Sequence, residues 1–267
     1  MVDKPVGDKL VADKAKPAVG KAKPAVGKAE RVADKADPAM EKAAPAAEKA
    51  KRAASDTPGL MPSFTTRDPD APAFWDERFE QGFMPWDQRG VPPAFCAFAE
   101  RQAPGAVLIP GCGSAYEAAW LAARSWSVTA LDFSAAAVAA ARSYLASQPG
   151  GEKVSLVEAD FFTYMPSEET RLKPQWIYER AFLCALPPAR RADYARHMAQ
   201  LAAPGVLLAG LFFFGETRKG PPFAIEESAL HSLLTPFFEC IDDHPVEDSI
   251  PVFAGRERWL TWRRRAV

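Results

Sequence analysis

The chain has 267 residues, a formal net charge of -1 and four cysteines. Balanced charge excludes the strong basic patch that a nucleic-acid partner would require, and no apolar run approaches the ~18 residues of a membrane span. Cys96, Cys112, Cys184 and Cys240 form no CxxC pair and the three histidines lie far apart, so neither a zinc site nor a disulfide framework is expected. The first residues lack the apolar core of a secretion signal. The expectation is a cytoplasmic, metal-free protein.

Residues 1–63 contain no aromatic side chain. Within residues 1–56 there are 13 Lys+Arg against 9 Asp+Glu, a balance of +4, and the remainder carries -5. The unit AKPAVGK occupies residues 15–21 and again 22–28. Alanine and lysine favour helix, but each unit carries a proline that interrupts it. Without large apolar side chains the segment cannot offset its ordering entropy. It reads as a disordered arm that acts as a spacer. The functional alternative is docking to an acidic surface or a polymer granule. Aromatics begin at Phe64, and the folded domain is expected over residues 64–267.

Inside that domain strand and helix patterns alternate. Strands are expected at 106–110, 127–131, 153–157, 175–178, 206–214, 237–241 and 258–263. Helices are expected at 115–124, 134–146, 187–203 and 225–234. Ser134 suits a helix N-cap, and the prolines near 187 suit a helix start. The strongly apolar run at 206–214 reads as a strand buried on both faces. The pattern predicts a doubly wound α/β domain with a mostly parallel, seven-stranded sheet and helices on both faces.

Ligands of such sheets bind beyond the carboxyl ends of the strands, and three features fall there. Gly111-Cys112-Gly113 follows the first strand, where glycine lets the backbone approach a ligand. Asp132 follows the second, 19 residues beyond Gly113, where a carboxylate can accept from two ribose hydroxyls. Asp160-Phe161-Phe162 follows the third, with a carboxylate and an aromatic wall suited to adenine. The bland readings are a tight turn for the glycines and a helix cap for Asp132. Together and in order, the three indicate a nucleoside-bearing cofactor. A dinucleotide fingerprint needs a third glycine, but Tyr116 stands in its place, and no phosphate loop is present. An adenosine on a phosphate-free chain fits better, and S-adenosyl-L-methionine is such a molecule.

Four blocks then give a family resemblance. They are Phe74-Trp75-Asp76-Glu77-Arg78-Phe79 with Pro85-Trp86, Val107 to Gly113 with Val128 to Ser134, Tyr178-Glu179-Arg180-Ala181, and Gly220-Pro221-Pro222-Phe223. In this order they resemble the thiopurine S-methyltransferase family, including its thiol and halide methyltransferase branch. The resemblance implies a Rossmann-like methyltransferase fold and S-adenosyl-L-methionine as cofactor. It implies that Trp75, Phe79 and Trp86 cover the cofactor, and that Gly111 and Gly113 line its methionine part. It further implies that Asp132 holds the ribose, that Asp160 and Phe161 contact adenine, and that Arg180 is the polar group of the acceptor pocket. Tyr178-Glu179-Arg180 departs from the Trp-Asp-Arg and Asp-Tyr-Thr forms of the family.

The implied reaction is direct in-line transfer of a methyl group to the sulfur of a small thiol or thiopurine-like compound, with halide or thiocyanate as the alternative acceptor. A non-catalytic cofactor-binding or granule-associated protein is the reading from another class. Arg180 as a surface ion pair with Glu179 or a neighbour is its bland alternative. Cys112 reads as a small residue wanted by the turn, and His197 as an exposed or capping residue. The expected partner is a small molecule, and the chain reads as a monomer.

Overall fold

The computed structural model describes residues 63–166, 174–217 and 219–266. All but the last residue of the expected arm lies outside the described residues. Two short helices come first, α1 (Pro72–Glu80) and α2 (Pro93–Ala99). Each begins with proline, whose missing N–H and fixed φ suit the first helical turn. Then follow β1 (Ala106–Pro110), α3 (Tyr116–Ala122), β2 (Ser127–Asp132), α4 (Ala135–Leu145), β3 (Ser155–Glu158) and β4 (Trp176–Arg180). The rest is α5 (Arg191–Leu201), β5 (Leu207–Phe213), α6 (Glu227–Leu234), β6 (Phe238–Pro245) and β7 (Glu257–Arg264).

The seven strands form one sheet in the order β3-β2-β1-β4-β5-β7-β6. The first five are parallel, and β7 runs antiparallel to both β5 and β6. This is the doubly wound, mostly parallel seven-stranded sheet that the strand–helix alternation predicts. Every residue of β1 is buried, as an apolar run at the centre of a doubly covered sheet must be. Alternate residues serve opposite faces. Leu108 and Ile177 join Tyr194 and Met198 of α5 and Leu230 of α6. Val107, Ile109 and Trp176 join Phe95 of α2, Leu121 of α3 and Ala141 of α4. The chain leaves β1 toward β2 and β3, then returns to lay β4 on the other side of β1. That reversal opens a crevice at the carboxyl ends of β1 and β4.

Several expected boundaries move. The helix expected at 187–203 is a 3₁₀ turn at Pro188–Arg190 followed by α5. The helix expected from residue 225 starts at Glu227, because Ile225 bridges to Phe214. β3 begins two residues later than expected, after a 3₁₀ turn at Gly151–Lys153. His197 is not exposed: it is buried, its ring 4.7 Å from that of Phe161 and its Nε2 3.0 Å from the Tyr164 carbonyl. The helix face it shares with Tyr194 and Met198 packs on the sheet. Among the described residues, no helix is long and apolar enough to cross a membrane.

Candidate cofactor and acceptor site

The turn after β1 holds three residues at positive φ, Gly111 (59°), Gly113 (51°) and Ala115 (61°). Glycine enters this region at no steric cost. At Gly111 a Cβ would also lie 2.6 Å from the Phe182 ring, so conformation and packing both require glycine there. The amide of Cys112 donates to the Leu131 carbonyl (3.0 Å), tying the turn to the end of β2. Burial pushes the Cys112 thiol well above its usual range, so it acts as a packing residue rather than as a thiolate nucleophile.

Asp132 closes β2 and faces this turn. Its Oδ2 accepts from the Gly113 amide and its Oδ1 from the Ser134 amide, both at 3.0 Å. Burial raises its carboxyl, and these backbone bonds oppose that rise. A carboxylate offers about four acceptor positions, so two amides leave lone pairs for the hydroxyls of a ligand. Ser134 caps α4 as its sequence position predicts, accepting from Ala137 N at 3.1 Å.

Two further acids fasten the N-terminal segment to these turns. Asp76 on α1 accepts from Ser134 Oγ (2.6 Å) and Ala136 N (3.0 Å), and Asp87 accepts from Ser114 Oγ (2.8 Å). Neither was a candidate in the sequence, because their partners lie 58 and 27 residues downstream. Hydrogen bonds from Thr65 and Thr66 hold the Glu77 carboxyl down to about 2, fastening residues 65–66 to α1. So anchored, Trp75, Phe79 and Trp86 stand half-buried along the crevice, with Trp86 centroids 5.5 Å from Trp75 and 6.4 Å from Phe79.

The opposite wall comes from β3 and β4. Asp160 is exposed at the rim, its Oδ1 accepting from Phe162 N at 2.9 Å. Phe161 is buried against Phe182 (5.0 Å between centroids) and lines the crevice from the core. Arg180, the last residue of β4, also lines it, but its partner is Glu117 of α3 (Nη1–Oε1 2.6 Å) and not Glu179. Glu179 lies on the other face of the strand. Its Oε1 accepts from Phe182 N (3.0 Å) and Leu183 N (2.9 Å), and its Oε2 from Tyr194 Oη (2.8 Å). It therefore shapes the turn that sets Phe182 against Gly111.

Burial pushes the Glu179 carboxyl up to about 7, against the pull of its three donors. A carboxyl raised above its unfolded value of 4.5 stabilises the fold fully below pH 4.5, and that contribution is lost as pH rises through 7. Glu179→Gln should flatten this decline. The expected difference in the pH 5 to pH 8 change is about 3 kcal/mol, read by urea unfolding at each pH. An identical slope in the variant would refute the assignment.

The crevice encloses about 600 Å³ and is bounded also by Gly220, Pro221 and Pro222, within the ~300–1,000 Å³ of small-molecule sites. It brings together Trp75, Phe79, Trp86, Gly111, Gly113, Asp132, Asp160, Phe161 and Arg180, all nine of the expected site residues. A half-buried carboxylate with free lone pairs, a glycine turn and half-buried aromatics fit a nucleoside with a cationic tail. Away from it, Glu227, His231 and Asp243 place ligand atoms within 4.8 Å of one another. Asp243 there already holds Arg258 (2.7 Å), which puts a guanidinium where a cation would sit.

A family model described as thiopurine S-methyltransferase matches residues 70–265. The chain is 29% identical to thiocyanate methyltransferase 1 of Arabidopsis thaliana over 194 residues, covering 71% of this chain and 84% of that protein. It is 30% identical to a thiopurine S-methyltransferase of Shewanella amazonensis over 205 residues, covering 71% and 91%. Among solved structures it resembles the 1,6-didemethyltoxoflavin-N1-methyltransferase of Burkholderia thailandensis. The TM-score is 0.58 at 17% identity, covering 77% of this chain and 94% of that one. At that identity the likeness shows the fold alone.

Proposed function

Because the chain belongs to the thiopurine S-methyltransferase family, we propose that its crevice transfers the methyl group of S-adenosyl-L-methionine to the sulfur of a small thiol or thiopurine-like compound. The observation that carries this reading is Asp132 turned onto the Gly111–Gly113 turn, with a cavity of about 600 Å³ beside them. When bound, the cofactor would supply an activated sulfonium methyl group: the acceptor sulfur takes that methyl in line, S-adenosyl-L-homocysteine is the leaving group and the thiol proton passes to solvent.

The protein's own part is binding and alignment. Asp132 holds the ribose hydroxyls with its spare lone pairs, and the bare Gly113 backbone admits the methionine part. Asp160 and Phe161 bound the adenine. Trp75, Phe79 and Trp86 cover the sulfonium, whose charge gains from aromatic faces by about 0.5–2 kcal/mol, and they keep water out. Holding acceptor and methyl at attack distance supplies most of the acceleration. The activity is assigned to residues 64–267, with residues 1–63 as a spacer. The four cysteines are free, which suits a reducing cytoplasm, and the unit is read as a monomer.

The test is an assay with methyl-labelled S-adenosyl-L-methionine against a panel of thiols, thiopurines, iodide and thiocyanate. Labelled thioether from thiols is expected. A second reading, halide or thiocyanate methylation, draws on Arg180 in the crevice. Volatile methyl iodide with no thioether would establish it in place of the first.

A further inference from the structure

We infer that Glu117 sets the acceptor specificity of the crevice: by neutralising Arg180 it reserves the site for uncharged thiols and turns away small inorganic anions. The inference rests on the methyltransferase reading above and names the acceptor class of that same site.

Arg180 taken alone would attract an anion. In the folded chain its Nη1 lies 2.6 Å from Glu117 Oε1, and the two side chains are only 15% and 9% exposed. Solvent and salt screen such a pair little. α3 supplies the carboxylate and β4 the guanidinium, and both line the crevice. Glu257, buried on β7, faces the same guanidinium as a second carboxyl group. Beside them Tyr178 Oη is buried and has no hydrogen-bond partner among the described residues. The polar corner thus holds one guanidinium, two carboxyl groups and a neutral hydroxyl.

Among the described residues the guanidinium of this corner is already paired with Glu117, and the other arginines that line the crevice, Arg67, Arg78 and Arg190, come from other segments. To bind in this corner, an anion must draw Arg180 away from Glu117 and leave a buried carboxylate unpaired, which is strongly unfavourable. A neutral thiol needs no such exchange. The apolar walls around Phe182 suit its polarizable sulfur. Selection here works by an element that repels the wrong ligand as well as by contacts to the right one.

The test compares kcat/KM at saturating cofactor for 2-mercaptoethanol, uncharged at pH 7, with that for iodide and thiocyanate. Wild-type protein is expected to favour the thiol. Glu117→Gln keeps the shape and one acceptor but removes the charge. It should raise the anion-to-thiol ratio on the order of tenfold to a hundredfold, the range expected when one partly buried charge is unmasked. The double variant Glu117→Gln/Arg180→Gln should lose that gain, since Arg180 is what the first change exposes. In the wild type, thiocyanate should inhibit thiol methylation no more than equal chloride does, a readout that needs no variant to fold. An unchanged ratio in Glu117→Gln, a gain that survives in the double variant, or thiocyanate-specific competition in the wild type would overturn the inference. Those results leave thiol methylation standing, whereas no transfer to any acceptor overturns the parent reading and this inference together.

Discussion

Asp132→Ala is expected to cost about 3 kcal/mol or more of cofactor affinity, over a hundredfold in Kd. Hydrogen bonds to a charged partner contribute about 1.5–3 kcal/mol each, and Asp132 has lone pairs for two hydroxyls beyond the Gly113 and Ser134 amides it already serves. The substitution acts twice. It removes the acceptor from the ligand, and it frees the Gly113 amide that keeps the turn in place. Asp132→Asn retains one oxygen and should fall between the wild type and alanine. Titration calorimetry with S-adenosyl-L-homocysteine separates the three. Equal affinity for wild type and Asp132→Ala, with both folded, would remove Asp132 from the site.

Gly210→Ala is expected to destabilise the domain by about 3–5 kcal/mol, a large share of the roughly 5–15 kcal/mol that holds a typical domain folded. Gly210 lies in β5, paired with Glu179 on one side and Leu260 on the other. A Cβ there would stand 1.8 Å from the Glu179 carbonyl oxygen and 2.7 Å from its carbonyl carbon. The obstacle is backbone at the centre of a sheet, so relief requires strand separation instead of a rotamer change. The same displacement would disturb Arg180 and the Glu179 turn, linking a packing defect to the acceptor side of the crevice. Urea unfolding followed by circular dichroism reads the loss. An unchanged midpoint would show that β4 and β5 can move apart at little cost.

The parts legible in the sequence are those encoded locally. The run Val107-Leu108-Ile109 is apolar without interruption because β1 is covered on both faces, and the glycine turn follows it directly. The placement of Asp132 was legible for the same reason, since it depends on ending β2 and not on a distant partner. The pair Glu117–Arg180 was not legible. Its members are 63 residues apart, and nothing local to Glu117 distinguishes it from a surface helix residue. Asp76 was hidden likewise, within an aromatic block where the neighbouring rings carried the signal.

β6 was expected at 237–241, short of the polar residues Asp242, Asp243 and His244. An edge strand tolerates them, since one side faces solvent, and a register shift between Cys240 and Asp242 lets it continue to Pro245. His197 was misread because a charged-looking helix face, Arg196 and Gln200 included, obscures the face that packs against the sheet.

The most direct test of the central claim is a crystal structure of the full chain with S-adenosyl-L-homocysteine. The account predicts the ribose hydroxyls on the Asp132 carboxylate, the nucleoside over the Gly111–Gly113 turn and the sulfur beneath Trp75, Phe79 and Trp86. A nucleoside bound elsewhere, with Asp132 engaged only by Gly113 and Ser134, would contradict it.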